Sequence, residues 1–135
     1  MNKRIILLLS IGMAFGQFYK VDDYVKDLGG TFCENGNLEW SYSPQESNEV
    51  IFIFSFATWW IPCQAESQEI ENIFNSFKGK EIKIIGAGMD WGNPYSCKDW
   101  AEKFNLSFPL LDDSKGKRIY NYFYVGNINC NFFCS

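Results

Sequence analysis

The chain has 135 residues, 47% of them apolar, which is enough for one compact domain and too little for two. It carries 12 basic and 16 acidic side chains, and this net charge of −4 argues against a nucleic-acid partner. There is no histidine, so Ser-His-Asp catalysis, Cys-His catalysis and His-ligated zinc are excluded. The five cysteines are therefore the strong nucleophiles available.

The N-terminal residues carry the pattern of a secretory signal peptide. A short basic start at 2–4 precedes an apolar run at 5–15, and small residues at 14 and 16 mark a cleavage site. We predict that residues 1–16 are removed and that a mature domain, 17–135, is periplasmic or secreted. The run is too short to span a bilayer, so no membrane span is expected after removal. An uncleaved anchor is the alternative.

Hydrophobic periodicity predicts alternating strands and helices in the rest of the chain. The expected elements are hairpin strands at 31–33 and 38–42 around Asn35-Gly36, a strand at 50–56, a helix from Pro62 to Gly79, a strand at 82–87, a helix opening at Asn93-Pro94, a short apolar segment at 108–111, a helix at 118–124 and a strand beginning at 128. The strand at 50–56 is almost wholly apolar, which predicts burial on both faces. Four apolar residues at helical spacing predict the buried stripe of the first helix: Ile70, Ile73, Phe74 and Phe77.

This order of elements predicts an α/β fold. We expect an N-terminal hairpin plus a central, mostly parallel sheet with right-handed crossovers, flanked by helices. Ligands of such sheets bind beyond the carboxyl ends of the strands. The segment 57–63 lies at that end, between the strand at 50–56 and the first long helix.

Residues in and around this segment match the pattern F-A-x-W-C-x-P-C-x-x-E. The matching residues are Phe56, Ala57, Trp59, Pro62, Cys63 and Glu66. On these positions the chain resembles the thioredoxin-like family, and within it the secreted thiol–disulfide oxidoreductases and their AhpC/TSA-type redoxin relatives. The resemblance runs from about residue 28 to 133 and includes residues 88–90 and 108–112. It implies a thioredoxin-like fold and thiol–disulfide chemistry at the start of the first long helix.

The attacking cysteine of that family falls on Trp60, and only the resolving position, Cys63, keeps a thiol. A helix N-terminus favours the reactive thiolate, but an indole cannot attack a disulfide. The two-cysteine cycle therefore cannot run through these two positions. Cysteine, tryptophan and selenocysteine codons differ only in the third base, so we hypothesise a point change or a selenocysteine codon read as tryptophan.

The resemblance also departs from the family near the C-terminus. The family loop V-x-x-I-P-x-x-F is matched by Val125 and Ile128, but its cis-proline falls on Asn129. A non-proline cis bond costs about 2.5–4 kcal/mol, so we expect a trans bond there and a displaced loop. Family members continue with two antiparallel strands and a helix, which are missing before Ser135. We expect an open apolar sheet edge and edge-to-edge self-association.

The cysteines differ in their expected roles. Cys63 is either the reactive thiol, by the motif match, or a small core residue at a helix start. We expect Cys97, on the apolar stripe of its helix, to be buried in the core, and Cys33, beside the hairpin turn, to be structural. The resemblance puts the loop with Cys130 against the helix start, so Cys130 is a candidate resolving thiol for Cys63. Cys130 and Cys134 offer too few ligands for a metal site, and no cofactor is expected.

Two further residues are candidates for the site. Glu66 follows Cys63 by one helical turn, where a carboxylate either moves protons for the thiol or complements the helix dipole. Trp59 is expected to flank the site as an apolar platform, together with Pro62, and the resemblance adds Ile128 and Asn129 from the late loop.

Three functions follow from these residues. The first is a thiol–disulfide oxidoreductase acting on a disulfide-containing protein or a small thiol. The second is a peroxiredoxin-like thiol peroxidase using Cys63, although Trp60 stands where that branch expects a threonine three residues before its cysteine. The third is a non-catalytic thioredoxin-fold remnant or binding module that uses the apolar surface around Trp59 and Trp60.

Overall fold

A computed structural model describes residues 25–115 and 118–123 of the chain. Within these ranges the elements are β1 (Leu28–Phe32), β2 (Glu39–Tyr42), β3 (Val50–Phe56), α1 (Ile61–Phe77), β4 (Ile82–Gly88), α2 (Cys97–Phe104), β5 (Leu110–Asp112) and α3 (Arg118–Phe123). None of these helices is both long enough and apolar enough to cross a membrane. Several predictions concern residues outside the described ranges and stay predictions. They are the signal peptide, the strand beginning at 128, Asn129 and Cys130.

The five strands form one sheet in the order β2-β1-β5-β4-β3. β3, β4 and β5 run parallel, and β1 joins them by antiparallel pairing with β5, where Thr31 lies opposite Asp112. β1 and β2 pair antiparallel on either side of Asn35-Gly36, as the hairpin signal predicts. The predicted α/β class is confirmed, and the hairpin makes the sheet mixed.

α1 follows β3 after a short loop and begins near the predicted proline. Pro62 lies in its first turn, where a missing N–H leaves no hydrogen bond unmade, and the helix ends shortly before Gly79, whose φ is +82°. The buried side of α1 carries Cys63, Ser67, Ile70 and Glu71. Ile73 lies beside this stripe and is 38% exposed, so its predicted place in the core is wrong.

Aromatic side chains fill the core between the sheet and helices α1 and α2. The rings of Phe56 and Trp100 stack with centroids 5.0 Å apart and planes 8° apart, and Phe108 belongs to the same cluster. A smaller cluster on the other face contains Ile85, Ala87, Leu111 and Ile119. Gly86 of β4 lets the aromatic cluster approach the sheet, since a Cβ there would lie 2.9 Å from the Phe108 ring.

β3 is an edge strand of the described sheet, and its burial differs from the prediction. Phe54 and Phe56 are 6% and 0% exposed, whereas Val50 and Phe52 on the same face are 60% and 41% exposed. The prediction of burial on both faces is therefore wrong for the first half of the strand, because the aromatic cluster ends at Phe54.

α2 begins at a capping box, in which two residues cap each other. The Ser96 hydroxyl accepts a hydrogen bond from the Asp99 N–H at 3.1 Å, and the Asp99 carboxylate accepts one from the Ser96 N–H at 3.3 Å. Hydrogen bonds from the Ser96 hydroxyl and then from its backbone hold the pKa of Asp99 below its ordinary value of 3.8. The predicted opening at Asn93-Pro94 is wrong, since those residues form the turn that precedes the cap.

Candidate functional site

The loop between β3 and α1, residues 57–60, is fixed against the loop that follows β4. Thr58 is fully buried, and its hydroxyl lies 3.0 Å and 2.8 Å from the carbonyl oxygens of Asp90 and Asn93. On the helix side, Gln64 Nε2 donates to the Thr58 carbonyl oxygen at 3.1 Å. The start of α1 is therefore held from both sides, at the carboxyl ends of the parallel strands.

Cys63 lies in the first turn of α1 and has no exposed surface. It takes part in a disulfide. Its carbonyl oxygen accepts a hydrogen bond from the Ser67 hydroxyl at 2.7 Å. The N-terminal turn of a helix stabilises a thiolate, and burial in an apolar core opposes it, so both effects act on the Cys63 sulfur when this disulfide opens.

Trp60 occupies the position of the family nucleophile and caps α1 with an extended backbone, at φ −85° and ψ 114°. Its half-buried ring packs against the core cluster and stands edge-on to the Trp59 ring, with centroids 5.5 Å apart. Its Nε1 is buried without a hydrogen-bond partner in the part of the chain that the structure describes. The indole contributes packing here and no nucleophile.

Apolar side chains remain exposed beside Trp60. Trp59 is 51% exposed and Ile61 is 75% exposed, and we call this pair the apolar rim. Trp59 is held in place by its Nε1, which donates to Asp90 Oδ2 at 2.8 Å. Pro62, which comes next, is half-buried.

The two carboxylates on this side of α1 have different surroundings. Glu66, one turn after Cys63, is half-buried. Glu71 is only 4% exposed and accepts hydrogen bonds from the Ser107 N–H at 2.8 Å, from the Ser107 hydroxyl and from Asn75 Nδ2 at 3.0 Å. The sequence analysis does not single out Glu71. The signal that could have found it is its position directly after Ile70, a buried residue of the helix. Its contacts join α1 to the loop before β5.

A disulfide joins Cys33, just after β1, to Cys97, the first residue of α2, with Cα atoms 5.8 Å apart. The predicted burial of Cys97 is confirmed, since it is 9% exposed within the core cluster. Its bond to Cys33 was not predicted, because the two cysteines lie 64 positions apart and share no motif.

Both residues of this disulfide line a cavity of about 700 Å³. Trp91 and Ala101 supply apolar walls, and Lys98 and Glu102 supply charges, with 3.7 Å between Lys98 Nζ and Glu102 Oε1. No residue of the 57–60 loop lines this cavity, and the elements that carry its two cysteines differ from the helix that carries Cys63.

Comparisons with known proteins agree with this geometry. Residues 23–130 match the model of the AhpC/TSA family. The thiol-disulfide oxidoreductase ResA of Oceanobacillus iheyensis is 27% identical over 62 residues, which cover 46% of this chain and 32% of the relative. ResA of Bacillus cereus is 27% identical over 82 residues, which cover 61% of this chain and 46% of the relative. The matched stretches thus span a third to about half of these relatives.

Solved structures show the same fold at low sequence identity. A secreted thiol-disulfide isomerase from Corynebacterium glutamicum is 18% identical with a TM-score of 0.64, covering 87% of this chain and 72% of that one. A secreted disulfide oxidoreductase from Mycobacterium tuberculosis is 15% identical with a TM-score of 0.55, covering 70% and 66%. The expected thioredoxin-like fold is thereby confirmed.

Proposed function

The chain belongs to the AhpC/TSA family, and on that basis we propose that it is a thiol–disulfide oxidoreductase of an extracytoplasmic compartment. Its family nucleophile is replaced by Trp60, and Cys63 is the redox residue that remains. The observation that carries the proposal is that Cys63 takes part in a disulfide at the first turn of α1.

The redox group needs a second cysteine, the one that pairs with Cys63. Cys33 and Cys97 are bonded to each other, so neither is the partner of Cys63. Of the five cysteines in the sequence, Cys130 and Cys134 remain as candidate partners, and both lie outside the described residues. We assign the partner role to Cys130, because the family resemblance puts its loop against the start of α1.

The exchange reaction then follows from the burial of Cys63. An incoming thiolate attacks the Cys130 sulfur, because the Cys63 sulfur is buried, and a mixed disulfide forms. Cys63 leaves as a thiolate that the helix N-terminus stabilises. A second substrate thiolate attacks the mixed disulfide, so two substrate thiols become one disulfide and their protons pass to Cys63 and Cys130. The reverse sequence reduces a disulfide in a partner protein.

Three observations support an extracytoplasmic location. The Cys33–Cys97 disulfide is of a kind that persists in oxidising compartments. Residues 1–16 carry the signal-peptide pattern. The solved relatives from Corynebacterium glutamicum and Mycobacterium tuberculosis are described as secreted. We therefore place the mature chain in the periplasm or outside the cell.

The test is reduction of insulin disulfides by dithiothreitol, with the exported chain as catalyst. We expect Cys63→Ser to lower the rate at least about tenfold, because the leaving thiolate is lost. The matched control is Ala65→Ser, which puts the same hydroxyl at an exposed neighbouring position of α1. Trp60→Cys should raise the rate, since it supplies the missing thiol one turn before Cys63.

The outcomes of this assay separate the candidate functions. A rate unchanged by Cys63→Ser would overturn the oxidoreductase proposal. Peroxide consumption by the natural chain that Cys63→Ser abolishes would favour the peroxidase alternative instead. Peptide mapping without reductant tests the pairing directly, and a Cys63 peptide joined to Cys134 would replace Cys130 in the scheme.

The exposed apolar surfaces favour a second candidate, a binding module without turnover. The apolar rim lies next to Trp60, where a polypeptide could pack against two large side chains. Val50 and Phe52 on the edge strand β3 offer a surface for self-association. Size-exclusion chromatography of Phe52→Lys beside the natural chain tests the latter, and equal elution volumes at all concentrations would exclude it.

A further inference from the structure

A second cysteine pair, outside the motif loop, forms a disulfide that lines a cavity. Cys33 is half-buried and Cys97 is 9% exposed, and both line the cavity of about 700 Å³. Cavities of this size accept small organic molecules. The disulfide is therefore placed where a dissolved thiol can reach it.

We propose that Cys33–Cys97 is a second redox-active disulfide, which accepts electrons from an aliphatic thiol that enters this cavity. It differs from the Cys63 disulfide in its elements, since it joins the end of β1 to the start of α2. Its reaction requires no residue of the 57–60 loop.

The two sulfurs have different surroundings, which determine which one is attacked and which one leaves as a thiolate. Cys33 is the more exposed, so its sulfur is the one attacked. Cys97 is the first residue of α2, and the helix N-terminus stabilises the thiolate that leaves. Thiols that form stable anions leave faster in such exchanges.

The step balances with the thiol as its only co-reactant. The thiolate forms a bond to Cys33 Sγ while the Cys33–Cys97 bond breaks, and Cys97 departs with the electron pair. A second thiolate then attacks the external sulfur of the mixed disulfide and releases Cys33. Two thiols are oxidised to one disulfide, and their two protons end on Cys33 and Cys97.

Contacts other than the disulfide also hold the elements around the pair together. The Cys33 N–H donates to the Leu110 carbonyl oxygen at 3.0 Å, which ties the end of β1 to β5. Trp100 is fully buried and stacks on Phe56, which ties α2 to the sheet. We therefore expect reduction to leave the chain folded, as a redox function requires.

The test is a redox titration of the full chain in glutathione buffers, followed by alkylation and peptide mass analysis. We expect Cys33 and Cys97 to become reduced while the near-ultraviolet circular dichroism stays native. We also expect Cys63→Ser to leave this reaction unchanged, which separates it from the function proposed above. Reduction that appears only at urea concentrations that unfold the chain would overturn the proposal.

A matched pair of variants tests the role of the cavity. Ala101→Met fills the cavity from α2 and should slow reduction by glutathione at least about fivefold. Lys103→Met puts the same side chain on the same helix outside the cavity lining and should leave the rate unchanged. Equal rates in the two variants would show that the cavity is not the route.

A trapping variant keeps the idea testable if Ala101→Met fails to fold. In Cys97→Ser the Cys33 thiol remains in the cavity, and oxidised glutathione should form a mixed disulfide with it in the native chain. Failure of Cys33 to react while the chain is folded would count against the proposal. Faster reduction by a reduced protein dithiol than by glutathione would assign the natural thiol to a protein partner.

Discussion

The indole N–H of Trp59 donates to the Asp90 carboxylate at 2.8 Å, and this bond crosses from the motif loop to the loop after β4. Trp59 is half exposed, so its orientation is set by this bond more than by packing. The ring therefore stays beside Trp60 as part of the apolar rim instead of moving freely in solvent.

Replacing Asp90 should release the Trp59 ring. Asp90→Ala removes the acceptor but keeps the carbonyl oxygen that Thr58 uses, so we expect a loss of about 0.5–1.5 kcal/mol in the free energy of unfolding. Urea denaturation measures it, and faster solvent exchange of the Trp59 indole proton should accompany it. Asp90→Asn retains an acceptor, and a loss as large as that of Asp90→Ala would contradict this account.

Thr58→Val should destabilise the motif loop. The substitution keeps the shape of a fully buried side chain but removes the hydroxyl shared by the carbonyls of Asp90 and Asn93. We expect a cost of about 1–2 kcal/mol, because the hydrogen bond from a fully buried hydroxyl to the loop after β4 is lost, although the Asp90 carbonyl oxygen still accepts from the Asn93 N–H at 3.2 Å. Thr58→Ser keeps the hydroxyl and should lose only about 1 kcal/mol, for its missing methyl group. A reversed order of the two variants in urea would refute the role of the hydroxyl.

Glu71→Ala should be among the more costly substitutions in α1. It removes a buried carboxylate that accepts hydrogen bonds from the N–H and the hydroxyl of the exposed Ser107, and hydrogen bonds to charged groups are the stronger ones. We expect a loss of about 2–3 kcal/mol in the free energy of unfolding. Glu69→Ala is the matched control, since Glu69 is exposed on the same helix, and it should stay within about 0.5 kcal/mol. Equal losses of unfolding free energy in the two variants would contradict a stabilising role for the hydrogen bonds of Glu71.

The capping box of α2 predicts a pH dependence of stability. The folded-state pKa of Asp99 is lowered, so its contribution is complete above the ordinary value of 3.8 and is lost as the pH falls through the folded value. The difference in unfolding free energy between the natural chain and Asp99→Asn should be constant above about pH 5 and shrink below about pH 4. A difference that grows on acidification would be inconsistent with this sign.

The local patterns of the sequence predict most of the elements. The strands β3 and β4 and the helix α1 agree closely with the prediction, because apolar runs and helical spacing are local properties. The helix opening that Asn93-Pro94 predicts lies too early in the chain, because Ser96 and Asp99 make the cap of α2. The capping box is visible in the sequence as Ser96 followed three residues later by Asp99, and the proline at 94 is a competing signal for a helix start.

The remaining differences depend on distant partners. The exposure of Val50 follows from which strands neighbour β3 and how far the aromatic cluster extends. The Cys33–Cys97 bond depends on the fold bringing β1 next to the start of α2. The motif predicted where Cys63 and Trp60 lie, but no pattern in the sequence predicted the cavity beside the other cysteine pair.

The Cys33–Cys97 bond also gives the backbone a topology that a linear chain lacks. Because the two cysteines are 64 positions apart, the segment between them closes into a covalent ring that contains β2, β3, α1 and β4. A single protease cut inside this ring opens it without releasing a fragment, since both pieces stay tied through sulfur. One cut by a protease inside the ring would therefore leave the molecule in one piece until a thiol reduces the disulfide.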